Sequence, residues 1–302
     1  MSWDPFGIAD AIADSFSGFF TDIDEIVSMA RVLPNGETGV IESGRPVMYD
    51  SFPANQLWNT ANSISKNCVA PVAATFLGIF LAAEIFHMAQ RTRVESGLDL
   101  FYQILISVLK MAICLFFIEN MSVIILGCFQ IASAIVQSIS SFNTTIHVDL
   151  DTVQEGIKEH YKNNDSFIDW TMLGTFLTVL VAKLASMACS VLAKIVLMIR
   201  FIEIYIFTAM APLAFATLPS HEYSSIGKMF IKRMLALALQ GVMIIVACSI
   251  YLTVLNALLT TGTGGIIEHP GWGAVQLVGY NLLLVIVLFQ TGGWSKQLLQ
   301  VH

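Results

Sequence analysis

Long apolar stretches separated by short polar segments dominate the chain. These stretches fall at Ser65–Met88, Leu100–Ile139, Met172–Arg200, Ile202–Pro219, Met234–Leu259 and Ala274–Thr291. A helix of about 20 apolar residues is long enough to cross the hydrocarbon core of a bilayer. The pattern therefore predicts an all-α, polytopic membrane protein, and its second stretch is long enough for two crossings.

The composition excludes an ordinary soluble domain. Of the 302 residues, 56% are hydrophobic and only 12% are charged, whereas soluble domains carry roughly 25% charged residues. The formal net charge of −7 argues against a nucleic-acid-binding domain of the usual basic kind. It leaves open a pore through which nucleic acid or protein passes.

The polar segments divide the chain into four predicted regions. They are an acidic amphipathic helix plus a Gly/Pro linker outside the membrane (1–62), two membrane helices joined by a basic cytoplasmic loop at 90–99 (63–140), a polar external loop (141–171), and further membrane helices with a proline-broken segment at 211–219 (172–302). Residues 33–60 are predicted to be irregular, because glycine and proline recur there.

The N-terminal helix is predicted from apolar side chains at helical spacing. They are Ile8, Ile12, Phe16, Phe19, Ile23 and Ile26. No Lys or Arg precedes Arg31, so anionic lipid would not hold this helix at the cytoplasmic face. The helix either lies on the outer membrane face or against a partner, or it belongs to the surface of a small N-terminal module.

The run Leu100–Ile139 allows two structures. It is either a hairpin that turns at Glu119-Asn120 or one long helix that protrudes from the bilayer. No turn-forming Gly or Pro lies at Glu119-Asn120, so the long helix is favoured.

Charged residues and a proline interrupt the later apolar stretches. Lys183 and Lys194 are about three turns apart and share a helix face, where they either border a water-filled path or snorkel to the two interfaces. Pro212 lacks an N–H, so the helix must kink or stop there. Lipid offers no partner to the freed carbonyls, which indicates a cavity or a close helix-packing site.

Basic clusters set the predicted topology through the positive-inside rule. Two clusters are predicted to be cytoplasmic: Arg91 and Arg93, and Lys228, Lys232 and Arg233. Arg91 and Arg93 either anchor the end of the first span at the membrane interface or contact a cytoplasmic partner. With 141–171 outside, residues 172–218 then make one net crossing, as one long kinked element or as a crossing followed by a re-entrant half. This gives five net crossings with the N-terminus outside and the C-terminus inside. Six complete crossings would place one basic cluster on the wrong side.

No arrangement typical of an enzyme, a metal site or a cofactor site appears in the sequence. The five cysteines show no CxxC spacing, the six histidines show no ligand spacing, and Gly262-Thr263-Gly264-Gly265 lacks the lysine of a phosphate-binding loop. We therefore expect no enzymatic activity, no metal and no cofactor.

Several segments together resemble a known family. They are Ala83-Glu84-Ile85-Phe86-His87-Met88, Arg200-Phe201-Ile202-Glu203-Ile204-Tyr205, Ala211-Pro212-Leu213-Ala214-Phe215-Ala216-Thr217, Ile226-Gly227-Lys228, Leu235-Ala236-Leu237-Ala238-Leu239-Gln240-Gly241 and Leu288-Phe289-Gln290-Thr291-Gly292-Gly293. In their order and spacing the chain resembles the TrbL-like, VirB-type polytopic membrane subunits of type IV secretion systems. The likeness is to those of conjugative elements of Firmicutes, and hence of Gram-positive hosts.

The resemblance implies a subunit of the membrane complex through which DNA and its attached relaxase leave the donor cell. It implies a ring-shaped homo-oligomer in the cytoplasmic membrane, other secretion-system membrane subunits and separate ATPases as partners, and only transient contact with DNA and relaxase. Under it, Pro212, Lys183 and Lys194 are expected to border the path, and Arg200 and Glu203 to brace the kink. The basic cluster that begins at Lys228 would lie at the cytoplasmic mouth or against an ATPase.

Two other classes remain open. A secondary transporter of a small solute also uses broken helices and buried charges, although the two halves show no internal repeat. A non-conducting scaffold would assemble the machine and line nothing. It predicts that Lys183 and Lys194 tolerate replacement by Met or Leu.

Overall fold

The computed structural model describes residues 25–27, 29–30, 32–35, 53–91, 97–143, 170–220, 222–260 and 270–300. The long elements in these ranges are all helices. They are α1 (Ala54–Ile64), a π-helical segment (Ser65–Val69), α2 (Ala70–Arg91), α3 (Gly97–Glu119), α4 (Met121–Asn143), α5 (Trp170–Ala216), α6 (Ser224–Thr260) and α7 (Pro270–Leu298). The prediction of an all-α fold is confirmed.

Within the described residues, 6 helical segments are long and apolar enough to cross a membrane. They are Ala54–Met88, Phe101–Glu119, Met121–Ile139, Leu180–Ala216, Ser224–Leu255 and Val275–Leu298. Large apolar side chains on these segments, such as Leu109, Val123 and Met187, are exposed. Water would disfavour such surfaces and lipid would not. The chain is a polytopic α-helical membrane protein.

Helix α1 begins inside the segment 33–60 that the sequence predicts to be irregular. Its first turn starts at Pro53, whose carbonyl accepts the Leu57 N–H at 2.9 Å. Ala54, Trp58 and Ala61 are buried, at a spacing that places them on one helix face. Burial of this face orders residues that local composition alone would leave in a linker, so the helix starts earlier than expected.

The apolar run Leu100–Ile139, predicted as one long helix, is divided at Asn120 into α3 and α4. Helical hydrogen bonds from Asn120 to Phe116 and from Ile124 to Asn120 span the division, so the chain does not turn back there as a hairpin would. The Asn120 side-chain amide donates to the Phe116 carbonyl at 3.0 Å, beside the backbone N–H of Asn120 at 3.1 Å. A short amide side chain that bonds its own backbone in this way competes with the helical ladder.

The buried positions nevertheless keep one helical phase across the interruption at Asn120. They are Ser107, Cys114, Ile118, Met121, Ile125 and Phe129. The intervals between them are close to multiples of 3.6 residues. The one-residue break therefore does not shift the face that α3 and α4 bury.

Helix α5 is one uninterrupted element of 47 residues with Pro212 inside it. At 1.5 Å per residue it is about 70 Å long, more than twice the roughly 30 Å of a bilayer core. Of the two alternatives for residues 172–218, the structure contains one long element and no re-entrant half. The helix ends at Ala216, one turn after the proline.

The chain divides into two compact units. Unit 1 contains the described parts of Met1–Arg31, Ile135–Met198 and Gly241–Gly293, and unit 2 those of Val32–Ala134, Ile199–Gln240 and Trp294–His302. A buried apolar cluster of unit 2 includes Trp58, Leu77, Ile118, Phe201, Phe215 and Leu237. In unit 2 the Tyr205 hydroxyl also lies 3.2 Å from the Pro34 carbonyl and 3.3 Å from the Ala54 carbonyl. This contact holds Tyr205 of α5 against Pro34 and against the first residue of α1.

Unit 1 contains the described end of the predicted N-terminal helix. Residues 25–27 and 29–30 are helical, and Ile26, Met29 and Ala30 are buried. Glu25 forms an ion pair with Lys194 of α5. The rest of residues 1–31, and most of the predicted external loop 141–171, lie outside the described residues.

A buried polar network joins three helices of unit 1. The Tyr251 hydroxyl donates to Asn281 Oδ1 at 2.7 Å, and Asn281 Nδ2 donates to Ser186 Oγ at 2.8 Å. All three side chains are buried. Hydrogen bonds of this kind hold membrane helices together, because association there has no hydrophobic drive.

Replacement of Asn281 by leucine is expected to destabilise unit 1, because Tyr251 loses this acceptor and Ser186 loses this donor. The expected cost is about 1 kcal/mol, typical of interhelical hydrogen bonds in membranes. Thermal unfolding of the purified protein in detergent measures it. Asn59→Leu on the exposed face of α1 is the matched control, since the Asn59 side-chain amide donates to Asn55 one turn earlier on the same helix and joins no second helix among the described residues. An equal effect of both variants would contradict the role of the network.

Candidate functional site

Helices α5 and α6 run antiparallel where both belong to unit 2. The Phe207 and Phe230 rings pack at 6.0 Å, while Arg200, two turns earlier on α5, bonds Leu237, two turns later on α6. An earlier residue of one helix thus meets a later residue of the other. This register brings the charged residues of α5 against the basic first turns of α6.

The corner between α5 and α6 is closely packed. Both the N–H and the hydroxyl of Thr217 bond to the Ala214 carbonyl, at 3.3 and 2.7 Å. Gly227 is buried, and a Cβ built on it would lie 2.6 Å from Leu218 Cδ2 and 2.9 Å from the Ala214 carbonyl oxygen. The sequence predicts either a cavity or a site of close helix packing near Pro212. The described residues show close packing at this corner.

A cluster of charged side chains lies beside this corner, and we call it the Glu203 cluster. Glu203 Oε1 accepts a hydrogen bond from Arg233 Nη2 at 3.2 Å and lies 3.5 Å from Lys296 Nζ. Arg200 Nε donates to the Leu237 carbonyl at 3.3 Å. Arg200 and Glu203, predicted to act together as i, i+3 neighbours, therefore have different partners.

The members of the Glu203 cluster differ in burial. Arg200 is only 4% exposed, whereas the side chains of Arg233, Lys296 and Glu203 are 42%, 35% and 25% exposed. Arg200 Nη1 and Arg233 Nε are buried and have no hydrogen-bond partner. The Arg233 guanidinium lies 4.5 Å from the centroid of the Phe207 ring, close enough for a cation–π interaction. Arg200 is thus closed off from its surroundings, whereas Arg233 and Lys296 form the open side of the cluster.

The remaining predicted site residues lie elsewhere. Lys183 is exposed and Lys194 is partly buried against Glu25. Lys228 and Lys232 are exposed on α6. Two further predictions cannot be placed: Arg91 is the last helical residue of α2, but its side chain lies outside the described residues, as does the whole of Arg93.

Sequence reasoning missed one member of the cluster. Lys296 was not singled out, although a lone cation in the last turn of the last apolar helix, two residues after Trp294, is a detectable signal.

The linker between α5 and α6 contacts the C-terminal half of α2. His87 Nε2 lies 3.8 Å from Glu222 Oε1, and the Phe80 and Tyr223 rings pack at 5.3 Å. His87 is one turn before the end of α2, and Glu222 is two residues before the start of α6. The end of α2 and the start of α6 therefore lie at the same end of unit 2.

The fold and this arrangement define a multi-pass helical membrane protein with a charged cluster between its helices. The family model described as "TrbL/VirB6 plasmid conjugal transfer like protein" matches residues 50–212. The match covers more than half of the 302 residues, and the chain belongs to this family. The resemblance seen in the sequence is confirmed, although its segments beyond residue 212 fall outside the match. No curated protein and no solved structure matches the chain.

Proposed function

We propose that this protein is an integral subunit of a conjugative type IV secretion channel and forms, as a homo-oligomer, part of the path for DNA–protein transfer across the cytoplasmic membrane. The family match over residues 50–212 carries the proposal, because the family's printed description is conjugal transfer. The described helices supply the membrane-spanning segments that such a subunit needs.

The contact between α2 and the α5–α6 linker supports the predicted topology. His87 and Glu222 bring the start of α6, with Lys228 and Lys232, to the end of unit 2 where α2 finishes. Two basic segments at one end fit a single cytoplasmic side. This arrangement favours five net crossings, with the N-terminus outside, and a cytoplasmic surface on which an ATPase of the system binds. A Gram-positive donor and transient contact with DNA and relaxase belong to the same proposal.

A mating assay tests the proposed function. The gene is deleted from its own conjugative element and complemented in trans, and transconjugants are counted. Transfer should collapse in the deletion and return with the complementing copy. Unchanged transfer, together with altered uptake or export of a small solute, would favour the secondary transporter instead.

A lysine substitution separates a path-lining subunit from a scaffold. Lys183→Met is expected to lower the transfer frequency by at least about tenfold, which corresponds to the loss of one favourable contact in the path. The amount of protein in the membrane and its co-purification with partner subunits should stay unchanged. Lys194→Met is made together with Glu25→Gln, because the single change would leave the carboxylate of the Glu25–Lys194 ion pair without its partner. Normal transfer in both variants would support the scaffold.

A further inference from the structure

The Glu203 cluster holds more positive than negative charge. Arg200, Arg233 and Lys296 contribute three cations, and Glu203 is the one described carboxylate that pairs with any of them. Buried or half-buried charge needs compensation, because the low dielectric between helices makes unpaired cations costly. An excess of cations at such a place indicates that an anion completes the cluster.

Two hydrogen-bond donors of the cluster support the same conclusion independently. Arg200 Nη1 and Arg233 Nε are buried without an acceptor, although buried N–H groups in proteins are nearly always bonded. Arg200 is 4% exposed and its Nε already bonds Leu237. Its Nη1 donor is therefore held in the interior of unit 2, on the residue one helical turn before Glu203.

We propose that the open side of the Glu203 cluster binds the phosphate of an anionic phospholipid headgroup. Arg233 supplies a planar donor fork and Lys296 a point charge, and these two groups are the usual phosphate ligands of proteins. Arg200, one helical turn before Glu203 on α5, adds a further positive charge nearby. Basic pockets between membrane helices at the cytoplasmic side bind anionic headgroups in this way.

Neighbouring side chains favour a lipid over a soluble phosphate. Trp294, two residues before Lys296, is exposed, as are the apolar side chains of Ile226 and Met229 near the start of α6. An exposed tryptophan beside a lysine is typical of the membrane–water interface, and acyl chains would cover exposed apolar groups. The proposal is independent of whether the protein lines a transfer path.

The test uses the purified, delipidated full-length protein in a non-ionic detergent. Phosphatidylglycerol is added, and phosphatidylcholine with the same acyl chains, inorganic phosphate and a single-stranded DNA oligonucleotide are added in parallel. Phosphatidylglycerol should raise the midpoint of thermal unfolding by roughly 4 °C or more, the effect of a ligand well above its Kd. The other three should raise it little. An equal shift from any of them, or no shift from phosphatidylglycerol, would overturn the assignment.

Substitutions locate the site. Lys296→Gln should reduce the phosphatidylglycerol shift by at least about half, because one of two accessible phosphate ligands is lost, whereas Lys110→Gln on the exposed face of α3 should leave it intact. Glu203→Gln should enlarge the shift, because it removes the carboxylate that competes with phosphate for the same two cations. A shift that stays the same in Lys296→Gln and in Glu203→Gln would place the lipid elsewhere and refute the site.

Discussion

Glu203→Lys should strongly destabilise unit 2. The change puts a cation where Arg233 and Lys296 now contact a carboxylate, one helical turn from Arg200. Loss of one partner from a buried ion pair costs about 3–5 kcal/mol, and the partial exposure of Arg233 and Lys296 lowers the expected cost to roughly 2–4 kcal/mol. The free energy of unfolding of a folded protein is only about 5–15 kcal/mol, so a loss of this size is a large fraction of it. Immunoblots of membrane fractions and thermal unfolding in detergent measure the effect.

Two variants serve as controls for this charge reversal. Glu119→Lys makes the same change at the exposed end of α3 and should leave membrane levels near those of the unaltered protein. The exchange Glu203→Arg with Arg233→Glu should recover part of the lost stability, because it restores an opposite-charge pair between α5 and α6. If Glu119→Lys were as harmful as Glu203→Lys, the cluster would have no special role.

Gly227→Ala is the smallest change for which a large effect is expected. The added methyl group would lie 2.6 Å from Leu218 Cδ2 and 2.9 Å from the Ala214 carbonyl oxygen. The leucine side chain is able to move, but the carbonyl belongs to the last turn of α5 and is held by two bonds from Thr217. Overpacking of this kind costs typically about 1–3 kcal/mol, so the midpoint of thermal unfolding should fall by several degrees.

Gly127→Ala is the matched control, since a Cβ at Gly127 meets nothing within 4 Å. Alanine is the better helix former by roughly 1 kcal/mol, so this control should be neutral or slightly stabilising. Opposite signs for the two glycines would establish that the α5–α6 corner depends on close approach. A neutral Gly227→Ala would show that the corner opens without cost.

The sequence was sufficient for the features that depend on local composition. Length and apolarity of a run decide whether it spans a membrane, and each apolar stretch appears in the structure as helix. The proline-containing stretch joins the preceding one in α5. Pro212 does not separate the two, because a proline one turn from a helix end removes only one of the last hydrogen bonds.

Features that depend on tertiary contacts could not be predicted. Helix α1 forms because Trp58 and its neighbours on the same face pack into the core of unit 2. Their spacing fits one helix face, but the sequence does not show which residues that face contacts. At Asn120 the side-chain amide bonds the Phe116 carbonyl rather than some other acceptor. A sequence lacks the free-energy difference that decides such a choice.

The partners of the charged residues show the same limit. Sequence spacing placed Arg200 beside Glu203, since residues three apart are neighbours on a helix. In the structure, the antiparallel register of α5 and α6 places Arg233 within hydrogen-bond distance of Glu203. Lys296, in the last turn of α7, also lies close to the Glu203 carboxylate. Register between helices is set by how their side chains interlock, and residues far apart in the chain take part in it.

The π-helical segment Ser65–Val69 has a further consequence for the first membrane helix. Ser65 and Ala73 are both buried, and they are eight residues apart, whereas two α-helical turns contain about 7.2. The π turn accommodates the surplus residue, so that Trp58 and Leu77 join one apolar cluster. The π turn therefore aligns the buried face of α1, a helix rich in amide side chains, with the buried face of the apolar helix α2. Deletion of one residue from Ser65–Val69 would rotate α1 by about 100° relative to α2. The buried face of only one of the two helices would then still contact the apolar cluster.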